Sequence, residues 1–502
     1  MNARSRLAVA GTSIVWATGC WTVYGLDKYT TARDAAAPSS SAFEPSPTSG
    51  GQEASVPDAG PASCDAEQTA SPAAVCTGAI CVPFQNSARI QGYMPGAPLP
   101  PLPDGAPPPA TGPGDGGVDG ASPDAAGAGS GAGSLPACST LPSPVYVVGS
   151  TGLAGLAGEL GQLTSTVPIT IVFVAAKSCD GPKAIILNKT AFDFGATTAT
   201  YWDAAGTAHT CLVDDASSYA DIGLGQLFAD ACLTLPQGTP GIGDFLGPIT
   251  PIDIVVPTGS SQTSISAEAL YYTIGLGAGS VAPWTNPSEV FFNPGSGPQY
   301  DVALAIGVPP NQWKGTTVAT APQNIAKVGT SPDPESTLGL MGSDLVEAPT
   351  NTSTLKAIAY QDVGQSCGYY PNATATSSEK QNVRDGHYPL WGFSHMFAKV
   401  NAQDVPLNPN AALIIAYFTG QQPTPTGDFL RFVVSDHLLP LCAMRVTRAT
   451  EMGQLLPYAP SPSCGCYFDS ITKGTTTCQV CKTPSDCPTT SPHCNLGYCE
   501  PH

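Results

Sequence analysis

Positive charge is scarce in this chain. Lys and Arg together number 19 among 502 residues, against 38 Asp and Glu, for a net charge of −19. Binding a nucleic acid backbone takes clustered basic side chains, and an acidic surface repels both nucleic acid and anionic lipid. Nucleic-acid binding is therefore excluded, whereas a small anion held by a few focused donors in a cleft is not. Histidine is also rare, at 6 residues. His387 and His395 stand near Asp385 without HExxH spacing, so no metal site is expected. Neither a Walker loop nor a dinucleotide fingerprint occurs between a strand and a helix, and no cofactor is expected.

Glycine and proline are abundant, at 54 and 51 residues, but unevenly spread. From about Thr31 the chain is mostly Ala, Gly, Pro, Ser and Asp, and Val118 is the single large apolar residue between Pro103 and Gly133. Such a segment cannot bury enough surface to offset its conformational entropy, so 31–142 reads as a disordered tether. Ahead of it, Arg4 and Arg6 precede an uncharged run from Leu7 to Leu26, an export signal or membrane anchor over 1–30. Ala17-Thr18-Gly19-Cys20 resembles a bacterial lipobox, with Cys20 as the lipidated residue and Ala17 where Leu is usual. An uncleaved anchor is the alternative, since about 20 apolar residues span a bilayer. Ordinary cleavage is a third. All three place the rest of the chain outside the cytoplasm, in the bacterial cell envelope.

Export changes the meaning of the 17 Cys, which become disulfide partners in place of metal ligands. The stretch 459–502 is too short and polar for its own core, so bridges must hold it. Its cysteines (464, 466, 478, 481, 487, 494 and 499) are odd in number, and Cys442 is the candidate outside partner.

Between these ends the pattern is α/β. Val145–Val148 reads as a buried strand, and Leu153, Leu156, Leu160 and Leu163 form a helical stripe. Ile169–Val174 reads as the next strand. A strand–helix–strand unit implies a parallel sheet. Further strands are expected at Ala184–Leu187, Ile252–Pro257 and Leu355–Tyr360, and helices at Ala267–Gly275 and Tyr300–Ile306. The span 143–458 is long for one core, so two lobes are expected.

Two loops have the makings of an anion site. Gly149-Ser150-Thr151 and Gly295-Ser296-Gly297 each precede a helix, where unpaired N–H groups and partial positive charge gather. Each also has a plainer reading, as a helix cap or a turn. The hydroxyl-rich Ser260–Ser266 reads as a polar loop with a cap. Gly364-Gln365-Ser366-Cys367-Gly368 matches a nucleophile-elbow pattern, but Tyr369-Tyr370-Pro371 follows where a helix should open. Ser435-Asp436-His437, being consecutive, reads as a helix terminus and not a triad. No catalytic residue is assigned, and a binding protein is expected in preference to an enzyme.

Several segments together resemble the phosphate-binding proteins that serve ABC transporters. They are Val148-Gly149-Ser150-Thr151, Ala220-Asp221-Ile222-Gly223, Trp284-Thr285-Asn286-Pro287 with Gly295-Ser296-Gly297, and Arg384–Leu390. The resemblance implies an α/β fold of the two-lobed type II periplasmic-binding kind. Lobe one would hold 143–250 and 385–455, lobe two 251–384, with a small disulfide module behind. It implies a ligand cleft lined by Gly149, Ser150, Thr151, Ser178, Gln226, Gly295, Ser296 and Gly297. The ligand would be a small anion such as phosphate and the partner an ABC permease. The departures are specific: Gln226 stands at the family's Asp, Phe292 at its Arg and Pro298 at its Thr. They favour the alternative of a cell-surface adhesion or sensing protein that keeps the fold but not anion binding, with another surface protein as partner; the Cys-rich tail, as a protein-contact module, favours it too.

Overall fold

The computed structural model describes residues 135–502, apart from 214–217, 234–240 and 278–280. The expected export segment, Cys20 and most of the tether lie outside the described residues. Among the described residues, no helix is long and apolar enough to cross a membrane.

Lobe one begins with β1 (Pro144–Ser150) and β2 (Thr170–Ala176), paired in parallel and joined by α1 (Ala154–Thr164). The expected stripe is what seats this helix: Leu153, Leu156, Leu160 and Leu163 are all buried in the lobe-one core. Next come α2 (Asp180–Ile186), β3 (Thr198–Trp202), β4 (Ala208–Leu212) and β5 (Ile222–Gly225). Here one expectation fails. Ala184–Leu187, expected as a strand, instead closes α2, with Leu187 as its C-cap. A short apolar run carries no period that separates helix from strand. Tertiary contact decides it, because Gly181 lets the helix press on β5, with room for a hydrogen but not a methyl, which would stand 2.7 Å from the Leu224 carbonyl oxygen.

The chain then crosses to lobe two along β6 (Ile242–Pro257). That lobe contains β7 (Ser264–Ser266), β8 (Val290–Phe292), α3 (Gly297–Ile306), β9 (Thr316–Thr317), α4 (Ala321–Gly329), β10 (Leu338–Gly342) and β11 (Leu355–Gln361). The expected helix at Ala267–Gly275 is a short α-turn running into a π-helical stretch, Tyr271–Leu276. The return strand β12 (Trp391–Lys399) pairs antiparallel with β5 and with the first half of β6, and α5 (Pro409–Phe418) and α6 (Phe429–Ser435) follow. The second half of β6 pairs with β10 and β11.

The strand orders reveal a repeat. Leaving aside the β3–β4 hairpin and the short β7, lobe one runs β2-β1-β5-β12-β6 and lobe two runs β9-β8-β10-β6-β11. In each, the first strand lies between two parallel neighbours, and an antiparallel strand arriving from the other lobe comes next. This is the two-lobed type II periplasmic-binding fold, with β6 and β12 as the paired crossings.

The tail is fastened to both lobes. Cys442, within the expected lobe-one span, bonds Cys464, the outside partner expected from the odd count, and Phe468 of α7 (Gly465–Thr472) is buried in the core cluster that holds most of the buried lobe-two residues. Arg384 pairs with Asp469 at 2.6 Å and lies over the Phe468 ring. Beyond α7, Cys466–Cys478, Cys481–Cys494 and Cys487–Cys499 hold a segment with little core. Lobe one carries Cys138–Cys211 and Cys179–Cys232. Such bonds are typical of proteins that fold in oxidising compartments.

Candidate functional site

The site begins where β1 and β5 end side by side. A methyl on Gly149 would stand 2.4 Å from the Leu224 carbonyl oxygen, so only glycine permits this strand spacing. Ser150 follows, 5% exposed, and its hydroxyl accepts from the Gly152 N–H at 3.3 Å. Ser178, fully buried before α2, donates to the Ser150 hydroxyl at 3.3 Å. Gln226, at the end of β5, is 8% exposed. Thr151 is exposed at the mouth.

Lobe two meets this group through the start of α3. A methyl on Gly297 would stand 2.9 Å from Oε1 of Gln226, and one on Gly152 would stand 3.4 Å from the same oxygen. The Gln226 amide therefore bridges the β1–α1 joint of one lobe and the N-terminus of α3 in the other. Gly295 has φ +80°, a conformation that favours glycine, and lies against the Lys177 side chain, 3.1 Å from Cδ to where a methyl would be. Ser296 caps α3: its hydroxyl donates to Asn293 O at 2.8 Å and accepts from Gln299 N at 3.3 Å. Pro298 in the first turn costs α3 nothing, because that N–H has no partner within the helix. The eight expected residues thus lie on four segments, three at strand ends of lobe one and one at the start of α3 in lobe two. The hydroxyls of Ser150 and Ser178 meet, whereas that of Ser296 is committed to its own helix.

Beneath lies a buried ionic group that sequence reasoning missed. Asp301 of α3, Arg448 and Glu451 converge beside Gly392 of β12, where a methyl would stand 2.9 Å from Asp301 Oδ2 and 3.2 Å from the Gln226 carbonyl oxygen. Glu451 accepts from the Phe228 N–H at 2.9 Å. Burial, then the Glu451 charge, pushes the Asp301 carboxyl well above its usual range. Arg448 stacks 3.7 Å over the Trp391 ring, and burial brings its guanidinium down to about 10. The available signal was an acid inside an apolar helix and an Arg beside an acid three residues on.

The remaining motif residues serve the frame. Asp221 accepts from Tyr146 N and Asn408 Nδ2, both at 2.9 Å, at the far end of β5. Phe292 is buried against Trp313, and Trp284 lies in the lobe-two core. Tyr388 donates to the Ile252 carbonyl at 2.6 Å, tying the return segment to β6. Ser260–Gln262 are gathered by Glu335, and Ser266 caps its own turn. Gly364–Gly368 is a turn that opens no helix, and Asp436-His437 end α6. His395 pairs with Asp244 and His387 stacks on Tyr369. An open concavity of about 820 Å³ lined by Thr316, Gln323 and Lys327 touches this loop at Pro294 but contains none of the eight residues.

No protein-family profile matches the chain, and no curated protein matches it. Solved structures do. A putative phosphate ABC transporter substrate-binding protein with bound phosphate from Clostridium perfringens aligns at 12% identity and a TM-score of 0.41, covering 60% of this chain and 100% of its own. An ABC-type phosphate transport receptor from Vibrio cholerae aligns at 13% identity and a TM-score of 0.36, covering 59% and 100%. The reduced form of the OxyR regulatory domain from Pseudomonas aeruginosa aligns at 11% identity and a TM-score of 0.30, covering 55% and 96%.

Proposed function

We propose that this chain is an extracytoplasmic solute-binding protein that captures a small oxyanion between its lobes. The observation that carries this reading is the Ser150–Ser178–Gln226 cluster abutting the start of α3. Two hydroxyls and an amide lie beside two helix beginnings, whose partial positive charge suits an anion. The Phe292 position supplies no cation, but Lys177 of lobe one reaches the Gly295 loop and takes that role. Phosphate is the first ligand to try, delivery to an ABC permease the corresponding task, and a lipidated Cys20 the corresponding anchor. Because Ser150, Ser178 and Gln226 are 5%, 0% and 8% exposed, the ligand enters only when the lobes part about β6 and β12.

One observation favours the second reading, a surface adhesion or sensing protein without anion binding. The Gln226 side chain itself fills the space between Gly152 and Gly297. Calorimetric titration of the oxidised, ligand-stripped full chain with phosphate, sulfate, molybdate and phosphonates separates the two. Saturable heat that Ser150→Ala and Lys177→Ala each weaken at least tenfold supports capture. Absence of heat with every anion on folded protein leaves the adhesion reading.

A further inference from the structure

Away from the cleft, Lys380, Asn372 and Glu347 meet under the surface of lobe two. Lys380 is fully buried with φ +51°, and Asn372 is 6% exposed. The Lys380 Nζ lies 2.5 Å from Glu347 Oε1 and 3.4 Å from Asn372 Oδ1. The same Glu347 oxygen accepts from Asn372 Nδ2 at 2.7 Å. One carboxylate therefore touches both an amine and the nitrogen of a carboxamide. The backbone N–H of Lys380 donates to Asn372 Oδ1 at 2.8 Å, where negative charge would develop if the amide carbon were attacked. Asn382 Nδ2 donates to the Asn372 carbonyl at 2.6 Å and fixes that residue's backbone.

We propose that this is a self-crosslinking site, at which Lys380 and Asn372 condense to an intramolecular isopeptide bond with Glu347 as the proton carrier. Glu347 takes one proton from the Lys380 ammonium and frees the amine. The amine attacks Cγ of Asn372, forming a C–N bond and a tetrahedral oxyanion held by the Lys380 N–H. The second proton shed by the attacking nitrogen passes through Glu347 to Nδ2. The Cγ–Nδ2 bond breaks, and ammonia departs with the first proton as ammonium. No oxidant or cofactor is needed. His437, 3.0 Å from Glu347 Oε2, and Lys380 hold Glu347 ionised, the form that accepts the first proton. The driving force is local: burying an ammonium is costly, and the product amide removes that charge from the interior. Proximity supplies the rate, since both reactants are already held in place.

The test is the mass of the purified full chain after complete disulfide reduction. The crosslinked protein is lighter than its sequence by one ammonia. Cleavage after Glu leaves fragments 348–379 and 380–451 joined, which a succinimide at Asn372 would not do. Glu347→Gln keeps both reactants and should give the full mass and separate fragments. Folded wild-type protein of full mass, with separable fragments, would overturn the proposal and leave a buried ion pair. Crosslinking in Glu347→Gln as complete as in wild type would overturn the role of Glu347.

Discussion

The two lobes build the same joint, a first strand running into a helix, and use it differently. In lobe one the β1–α1 joint turns Ser150 toward Ser178 and leaves it beside the Gln226 amide. In lobe two the β8–α3 joint uses Ser296 to cap its own helix and sends Phe292 inward against Trp313. Lobe one presents side-chain donors, and lobe two presents a backbone wall. Lobe two also takes the disulfide-rich tail into its core through Phe468, whereas the lobe-one segment 385–455 meets the tail at its edge, through the Cys442–Cys464 bond and the Tyr467–Asp428 hydrogen bond. A repeated topology thus fixes where a loop emerges but not what its side chains do once there.

The largest test of this asymmetry is Phe468→Ala. Phe468 is 1% exposed, and losing a buried ring costs about 3–5 kcal/mol. Chemical denaturation should show lobe two weakened while the lobe-one core melts as before. Loss of both together would show that the lobes unfold as one unit.

A methyl placed in each joint gives a finer contrast. Gly149→Ala meets the Leu224 carbonyl within lobe one and should cost about 1–3 kcal/mol as an overpacked strand pair. Gly297→Ala meets Gln226 across the cleft, so it should leave stability nearly unchanged and expand the molecule in small-angle scattering by holding the lobes apart. Equal stability losses from the two substitutions would mean that the cleft contact is part of the core.

A further effect is one of pH. Asp253 is fully buried on β6, accepts from the Ser343 hydroxyl at 2.8 Å, and faces Glu347, Lys380 and Asp344. Burial first, then the Glu347 charge, raises its carboxyl to about 7. The folded state therefore prefers the protonated form. That stabilisation is complete below the unfolded value and is lost as pH rises to about 7, by up to about 1.4 kcal/mol for each unit crossed. Asp253→Asn, which keeps an acceptor for Ser343, should flatten the fall in melting temperature between acid and neutral pH. An unchanged slope would place the titration elsewhere.

Local pattern alone determined much of this protein. The leucine stripe of α1 had one consistent period, and Val145–Val148 and Ile252–Pro257 are buried strands because β-branched runs suit a buried sheet. The odd tail cysteine count pointed to Cys442, since parity needs no geometry. Other features were decided only by tertiary structure. Ala184–Leu187 became helical because Gly181 packs on β5, a contact absent from the local pattern. Both Gln226 between the two helix starts and Lys177 against Gly295 depend on β6 and β12 setting one lobe beside the other. The Asp301–Arg448–Glu451 and Glu347–Asn372–Lys380 groups join residues scattered along the chain, and in the second only folding brings Lys380 and Asn372 within hydrogen-bond reach of Glu347.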